Sequence, residues 1–255
     1  MKHLITFFLI VTALLLGSCA HKSGRTPRLP SNNRKSEEVP VKTNTPQAEQ
    51  EGSRQVEVTL SNLSGEKNKL DGPKIFSKYN SAVFMVFTSD GYSGYQGSGF
   101  FINSEGLAVS NYHVFRGTHK GAELIKLANS EEAYKVVEVI HSDSEEDFIL
   151  FRVNVSNTNF IPVAKDKPKV GEKVYAIGSP RGLENTFSSG EVSQWRDKNL
   201  MQISALIDHG SSGGALINEF GEVVGITSGS FADGSQANLN YAWSIDAIKP
   251  YINYR

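Results

Sequence analysis

The sequence predicts an all-β protein whose folded part contains about a dozen short strands, with a short helix at each end. Short runs rich in β-branched and aromatic residues recur between residues 82 and 244. Turn signals such as Asn103-Ser104-Glu105-Gly106 and Asn218-Glu219-Phe220-Gly221 separate these runs. No helical pattern lies between them, so we expect β-barrels or a sandwich.

The first helix is expected to begin near Pro73 with Asp71 as its cap, because Ile75, Phe76 and Tyr79 would then share one face. A second short helix is expected over residues 245–252. The strands between them are predicted at residues 82–88, 98–102, 107–110, 123–128, 134–141, 148–153, 173–177, 185–194, 200–204, 215–217, 223–228 and 239–244.

Composition excludes several functional classes. The 255 residues include 26 Lys and Arg against 27 Asp and Glu, a net charge of -1. This balance argues against a general nucleic-acid binder, which would carry a basic face. A single Cys excludes an internal disulfide and a Cys-rich zinc module. No convergent set of metal ligands is apparent, so we expect neither a metal nor a cofactor.

Residues 1–18 have the pattern of an export signal. Lys2 precedes an apolar run over residues 4–16, which is shorter than the roughly 20 residues of a transmembrane helix. The run leads into Leu16-Gly17-Ser18-Cys19, which resembles the lipobox of bacterial lipoproteins. This resemblance implies lipidation of Cys19 and a membrane anchor in the cell envelope, on the periplasmic face of the outer membrane if the cell is Gram-negative. Ordinary secretory cleavage nearby is the alternative.

Residues 19–72 are predicted to form a disordered tether. Four prolines punctuate a polar stretch that has too little apolar surface to offset the entropy of ordering it. Alternation at Val56, Val58 and Leu60 allows one short strand there. The folded domain is therefore expected over residues 73–255.

A glycine-rich segment, Gly210-Ser211-Ser212-Gly213-Gly214, could expose a serine hydroxyl on a tight turn. Its backbone N–H groups could also converge on a developing oxyanion, which acyl transfer requires. The segment also matches the Gly-x-Ser-x-Gly turn of α/β-hydrolases. That fold needs a His later in the chain, and no His follows Ser212.

Two further residues complete a candidate triad. His113 ends a predicted strand, and Asp147 opens an apolar one. A structural His and a solvated acidic turn are the alternatives, and the turn fits Glu145 and Glu146 better than Asp147. The chain order His, Asp, Ser is that of chymotrypsin-type proteases. The spacing leaves room for His113 and Asp147 on a first barrel and for Ser212 on a second.

Other segments accompany these three residues: Gly97-Ser98-Gly99-Phe100, Asp143-x-x-x-Asp147, Ala176-Ile177-Gly178-Ser179-Pro180-Arg181-Gly182-Leu183, Ser189-Gly190-Glu191-Val192-Ser193 and Gly225-Ile226-Thr227. Together with the His113 and Ser212 segments, they resemble the HtrA (Deg) family of trypsin-fold serine endopeptidases over residues 73–255. The resemblance implies two six-stranded antiparallel β-barrels of the chymotrypsin type, over about residues 82–158 and 165–244. It also implies cleavage of peptide bonds in unfolded or envelope proteins.

The resemblance assigns roles to residues of this sequence. It implies that Ser212 is the nucleophile, His113 the general base and Asp147 the group that orients the imidazole. Backbone amides of Gly210, Ser211 and Ser212 are expected to form the oxyanion hole. The family usually has Asn where this chain has Ser211, which puts the stability of the loop in question.

Substrate recognition is expected at two places. The edge formed by Thr227, Ser228 and Gly229 would pair with the substrate backbone as an added strand. Leu206 would line the base of the first specificity pocket. An apolar base favours a small or medium apolar residue before the cut, because a Lys or Arg charge would lie there unpaired.

Other expectations concern assembly and mode of action. Relatives of this type usually carry PDZ domains after the protease, and we expect none after Arg255. The resemblance also implies a homotrimer.

His119 and His141 are expected to face solvent, and His209 to lie on the pocket rim. The alternative functions are a chaperone-like binding protein on a protease scaffold and a latent protease that needs a ligand to order its oxyanion loop.

Overall fold

Twelve of the strands close into two antiparallel six-stranded barrels, as predicted. The structure is a computed structural model that describes residues 59–60, 65–119, 121–179, 182–183, 185–230 and 239–254. The strands of the first barrel are β2 (Val83–Ser89), β3 (Gly94–Phe101), β4 (Leu107–Ser110), β5 (Leu124–Leu127), β6 (Ala133–Asp143) and β7 (Phe148–Val153). Their order around the barrel is β2-β3-β4-β7-β6-β5.

The second barrel has the order β10-β13-β12-β11-β8-β9. Closing each sheet on itself leaves no unpaired edge strand, which lets short strands of this kind be stable. The strands of the second barrel are β8 (Lys173–Gly178), β9 (Thr186–Trp195), β10 (Leu200–Ile203), β11 (Ala215–Asn218), β12 (Val223–Ser230) and β13 (Asn240–Ser244).

Apolar side chains form three clusters that explain this arrangement. Phe84, Phe101 and Phe151 belong to the cluster that fills the first barrel, and their rings pack at centroid distances of 4.6 and 6.4 Å. A second cluster, which includes Met201 and Leu216, fills the second barrel. The third cluster combines residues of both barrels. The barrels are therefore joined by a shared apolar core, and the side chains at their junction have fixed positions.

Short helices lie at the predicted ends. Helix α1 spans Gly72–Tyr79, and the Asp71 side chain accepts the Lys74 N–H as its cap. A 3₁₀ turn at Asn80–Ala82 leads into β2. The closing helix, Ile245–Tyr251, is also of the 3₁₀ type and is capped by Ser244. A further single turn, α2 (Tyr112–Phe115), was not predicted and lies where a strand end was expected.

The described part of the predicted tether contacts the second barrel. Strand β1 (Thr59–Leu60) pairs in parallel with β14 (Asn253–Tyr254). The Glu66 and Leu70 amides donate to carbonyls of the β11–β12 turn, each at 2.7 Å. Hydrogen-bonded structure thus begins before residue 73, the predicted first residue of the folded domain. The predicted signal peptide and Cys19 lie outside the described residues. In the part of the chain that the structure covers, no helix is long and apolar enough to cross a membrane.

Candidate active site

His113 and Asp147 form a hydrogen-bonded pair at the junction of the barrels. His113 lies on α2, directly after β4, and Asp147 ends the turn between β6 and β7. The distance between His113 Nδ1 and Asp147 Oδ2 is 2.8 Å, and the His113 backbone N–H donates to Asp147 Oδ1 at 2.9 Å. His113 exposes 40% of its side chain, whereas Asp147 exposes 15%. Because the carboxylate binds Nδ1, Nε2 is the nitrogen left to accept a proton.

The turn that presents Asp147 is held by side chains on both sides of it. Asp143 Oδ1 accepts the Glu145 and Glu146 amides at 2.8 and 3.0 Å, which explains the Asp143-x-x-x-Asp147 spacing. Asp147 has a φ of 46°, a left-handed conformation that is unfavourable for a residue with a Cβ. Its carbonyl accepts a hydrogen bond from the fully buried Asn111 at 2.8 Å. Asn111 therefore stabilises a strained backbone next to the imidazole.

Ser228 supplies another hydrogen bond to the carboxylate, from the second barrel. Its hydroxyl donates to Asp147 Oδ2 at 3.0 Å. The register of β12 against β13 shifts between Thr227 and Gly229, so Ser228 is the extra residue of a β-bulge. Bulges redirect side chains, and this one places the Ser228 hydroxyl on Asp147. Sequence reasoning assigned Ser228 to the substrate edge only and missed this contact.

The loop from Gly210 to Gly214 lies against the first barrel, and three of its five backbone amides donate to described carbonyls. The Ser212 carbonyl accepts the Ser98 amide at 2.8 Å, and the Gly213 amide donates to Thr227 at 2.7 Å. The Ser211 amide donates to the Asp208 carbonyl at 3.0 Å. It is therefore not a free donor for an oxyanion, contrary to its inclusion in the predicted set.

Two amides of this loop remain without an acceptor. Within the described residues, the backbone N–H groups of Gly210 and Ser212 donate to no protein group. The Ser212 hydroxyl likewise has no hydrogen bond to the His113 ring among those residues. Such contacts are often long in enzymes without substrate and shorten when the substrate binds. The Ser212–His113 contact stays a prediction.

The predicted substrate edge lies next to the nucleophile. Pairing of β11 with β12 ends at Ala215 and Ile226, so Ser228 and Gly229 lie beyond it on that side. A Cβ placed on Gly229 would lie 3.5 Å from Ser212 Oγ. The backbone at Gly229 is thus close to the reacting hydroxyl, and the missing side chain leaves space between them. The geometry is compatible with an added substrate strand, which stays a prediction.

A cleft of about 500 Å³ opens beside the nucleophile loop, at one end of the second barrel. Leu206 lines it but exposes 67% of its surface, whereas Ile207 exposes 9%. Leu206 thus lies in the wall of the cleft, and its place at the base of the specificity pocket stays a prediction. The cleft is lined by Ala176, Ile177, Gly178, Thr186, Phe187, Ser188, Leu206, Ile207, Asp208, Ser211, Thr227 and Asn240.

None of the other histidines that the structure describes hydrogen-bonds to His113, Asp147 or Ser212. His209 is exposed, as expected for a residue on a rim. His141 was expected to face solvent, but it stacks on Tyr251 with ring centroids 3.6 Å apart. Desolvation by this packing lowers the pKa of His141, and the charge of Asp143 opposes the shift. Among the described residues, no group of His, Cys, Asp and Glu side chains could hold a metal ion.

Comparison with known proteins agrees with this geometry. Residues 97–226 match the family model of the trypsin-like peptidase domain. The chain is 30% identical over 181 residues to mitochondrial serine protease HTRA2 of Drosophila ananassae, covering 66% of this chain and 41% of the relative. It is 34% identical over 165 residues to a probable serine protease do-like of Buchnera aphidicola, covering 60% and 34%.

A solved structure gives the same result for the fold. The serine endoprotease from Yersinia pestis superposes with a TM-score of 0.63 at 25% identity, covering 72% of this chain and 66% of that one. The chain spans about two fifths or less of the length of the curated relatives named above. The range that matches the family model covers more than half of the sequence and includes His113, Asp147 and Ser212. The chain therefore belongs to the trypsin-like peptidase family.

Proposed function

We propose that this protein is a serine endopeptidase that acts through His113, Asp147 and Ser212. The observation that carries the proposal is the bonded pair of His113 and Asp147 beside a glycine-rich loop, two of whose amides have no acceptor among the described residues. Asp147 binds both the ring nitrogen and the backbone amide of His113, and its own backbone is strained. A His with only a structural role would not require this arrangement. The kinship with HtrA-type and Do-like serine proteases points to the same reaction.

The first step is attack by Ser212 Oγ on the carbonyl carbon of a peptide bond. His113 Nε2 takes the hydroxyl proton, while Nδ1–H remains bonded to Asp147 Oδ2. The carboxylate stabilises the imidazolium that forms, and it keeps the proton on Nδ1 so that Nε2 is available as the base. His113 then gives its proton to the leaving amine, which yields an acyl-enzyme on Ser212. Water completes hydrolysis by the reverse proton transfers.

Charge that develops on the carbonyl oxygen is stabilised by backbone amides. The unpaired N–H groups of Gly210 and Ser212 are the donors we assign to this role, because the Ser211 amide is bonded to Asp208. Loss of one oxyanion donor lowers kcat by about 10²–10³-fold in well-studied proteases. The orientation of this loop therefore contributes to the rate in addition to the triad.

Unfolded or envelope polypeptides are the proposed substrates. An extended chain can add as a strand beside Ser228 and Gly229, which a folded protein cannot do without local unfolding.

We further propose that Cys19 is lipidated and that residues 19–58 tether the protease to a membrane of the cell envelope. A homotrimer is the proposed assembly. Alkyne-fatty-acid labelling of the wild type and of Cys19→Ala tests the anchor, and light scattering of the purified protein tests the trimer.

Activity-based labelling tests the proposed function. The full chain, purified in detergent, is treated with a fluorophosphonate probe and separately with a denatured protein substrate. We expect labelling and cleavage by the wild type, and neither by Ser212→Ala. His113→Ala should retain only traces of both. Ser189→Ala serves as a matched control, because Ser189 is an exposed serine of β9 that is not among the residues lining the cleft.

The other functions correspond to other outcomes. A folded wild type that takes up no probe, but binds denatured protein, would be a binding protein on a protease scaffold. A wild type that reacts only after a peptide is added would be a latent protease. Labelling that persists in Ser212→Ala would contradict the assignment of the nucleophile.

A further inference from the structure

Ser98 is a buried polar residue in β3 of the first barrel, and its bonds reach the nucleophile loop of the second. It has 0% exposure. Its hydroxyl donates to the Gly210 carbonyl at 2.7 Å, and its amide donates to the Ser212 carbonyl at 2.8 Å. The same hydroxyl accepts the Ser179 amide at 2.9 Å. One side chain therefore joins β3, the end of β8 and the loop that carries the nucleophile.

The bond to Gly210 fixes the plane of one peptide group. A trans peptide is planar, so its C=O and N–H point in opposite directions. In the peptide that joins Gly210 to Ser211, the carbonyl is bound by Ser98 and the amide by the Asp208 carbonyl, at 3.0 Å. This peptide is held at both ends, and its shortest bond to the first barrel is the one from Ser98.

The next peptide, which joins Ser211 to Ser212, is held from the second barrel. The Ser211 carbonyl accepts the Thr227 hydroxyl at 2.7 Å and the Gly214 amide at 2.9 Å, so the Ser212 N–H points away from both, towards the side where no described group accepts it. Gly210 has a φ of 92° and no Cβ, so its backbone could rotate at little steric cost if its carbonyl were released. The Gln96 amide also reaches that carbonyl, but at 3.5 Å.

We propose that Ser98 is a positioning residue that orients the two oxyanion donors from across the barrel junction, because it holds the Gly210–Ser211 peptide that lies between them. This inference rests on the proposed serine-endopeptidase function. Ser98 touches no substrate atom and acts through the Gly210 carbonyl. Preorganised donors are effective because they need no reorientation during the reaction. Release of the Gly210 carbonyl would therefore weaken transition-state binding more than ground-state binding.

Steady-state kinetics separate this role from a purely structural one. In Ser98→Ala, kcat should fall about 10–100-fold, while KM stays within about twofold, because a small displacement of catalytic groups costs about this much. Ser98→Thr, which retains the hydroxyl, should recover most of kcat. Thr158→Val is the matched control. Its hydroxyl also donates to a loop carbonyl, that of Asn103 at 3.1 Å, on the other side of the first barrel. Its kcat should equal the wild-type value.

Hydrogen exchange of the peptide that spans residues 208–213 gives a readout that does not depend on turnover. We expect faster exchange of this segment in Ser98→Ala and an unchanged rate in Thr158→Val. Wild-type kcat in Ser98→Ala, or unchanged exchange over residues 208–213, would overturn the inference. Equal losses of kcat in both variants would also overturn it, because they would indicate a general loss of stability. A wild type without hydrolytic activity would instead contradict the proposed function, and exchange would still decide whether Ser98 holds the loop.

Discussion

Asp147→Asn is the substitution whose effect the structure defines most closely. Oδ1 accepts the His113 backbone N–H at 2.9 Å, so the amide oxygen of Asn would occupy this position. The amide nitrogen would then replace Oδ2, 2.8 Å from His113 Nδ1 and 3.0 Å from the Ser228 hydroxyl. An N–H₂ group facing Nδ1 requires the neutral ring to carry its proton on Nε2. Such a ring cannot accept the proton of Ser212.

We expect kcat to fall by about 10⁴-fold, as in the equivalent substitution of a well-studied protease of this type. That ratio corresponds to about 5.5 kcal/mol of transition-state stabilisation. Stability should change little, because the shape is kept and the Ser228 hydroxyl can rotate to accept a hydrogen bond. Initial rates on a denatured protein and urea unfolding of the same samples measure both quantities.

Glu145→Gln is the control for this experiment. Glu145 is an exposed carboxylate in the same turn, so its neutralisation should leave kcat unchanged. If Asp147→Asn kept more than about a tenth of wild-type kcat, the tautomer argument would be wrong. An equal effect of the two substitutions would show that the net charge of the turn, and not the His113 contact, is what matters.

Three further predictions concern the loop, the pH dependence of stability and specificity. Gly213→Ala and Gly117→Ala both place a Cβ at positive φ, but only the Cβ at Gly213 would clash, 2.1 Å from the Ser98 carbonyl oxygen. Gly117→Ala should lower the free energy of unfolding by about 1–2 kcal/mol. Gly213→Ala should lower it further and abolish fluorophosphonate labelling. The pKa of His141 is lowered in the folded state, so the unfolded state binds its proton more readily. The free energy of unfolding should therefore fall as pH drops below about 6.5, and should fall less in His141→Gln; urea titrations at several pH values measure this. Cleavage of a peptide library should show an apolar preference before the cut, and Leu206→Asp should shift it towards Lys and Arg; an unchanged preference would place Leu206 outside the pocket.

Much of the fold was readable from local pattern. All twelve predicted strands are present, and most of their ends agree within one or two residues, because apolar runs and turn residues act over short distances along the chain. The start of β3 was missed by four residues, because Gly94 and Tyr95 are exposed and the run of buried residues begins only at Gly97. The turn at Tyr112–Phe115 was read as a strand end, because a single helical turn is too short to show a helical period.

The polar contacts that support the site were not readable in this way. Asn111 lies two residues before His113, and a polar residue at this place in an apolar segment was the available signal. Its partner could not be inferred, because its side-chain amide donates to the Asp147 carbonyl, 36 residues away. Ser228 was assigned to the substrate edge, since nothing local indicates a β-bulge that turns its hydroxyl towards Asp147.

The alternation of strands and turns and the glycine-rich turn around Ser212 were readable from the sequence, because each depends on residues that are neighbours along the chain. The His, Asp, Ser order was also readable, because it depends only on position along the chain. Which hydroxyls and amides hold these catalytic groups in place depends on contacts between distant parts of the chain. Ser98 and Gly210 are 112 residues apart and meet only because two closed barrels pack on a shared apolar core. The directions of hydrogen bonds at such a junction depend on barrel closure and register, which no local pattern encodes.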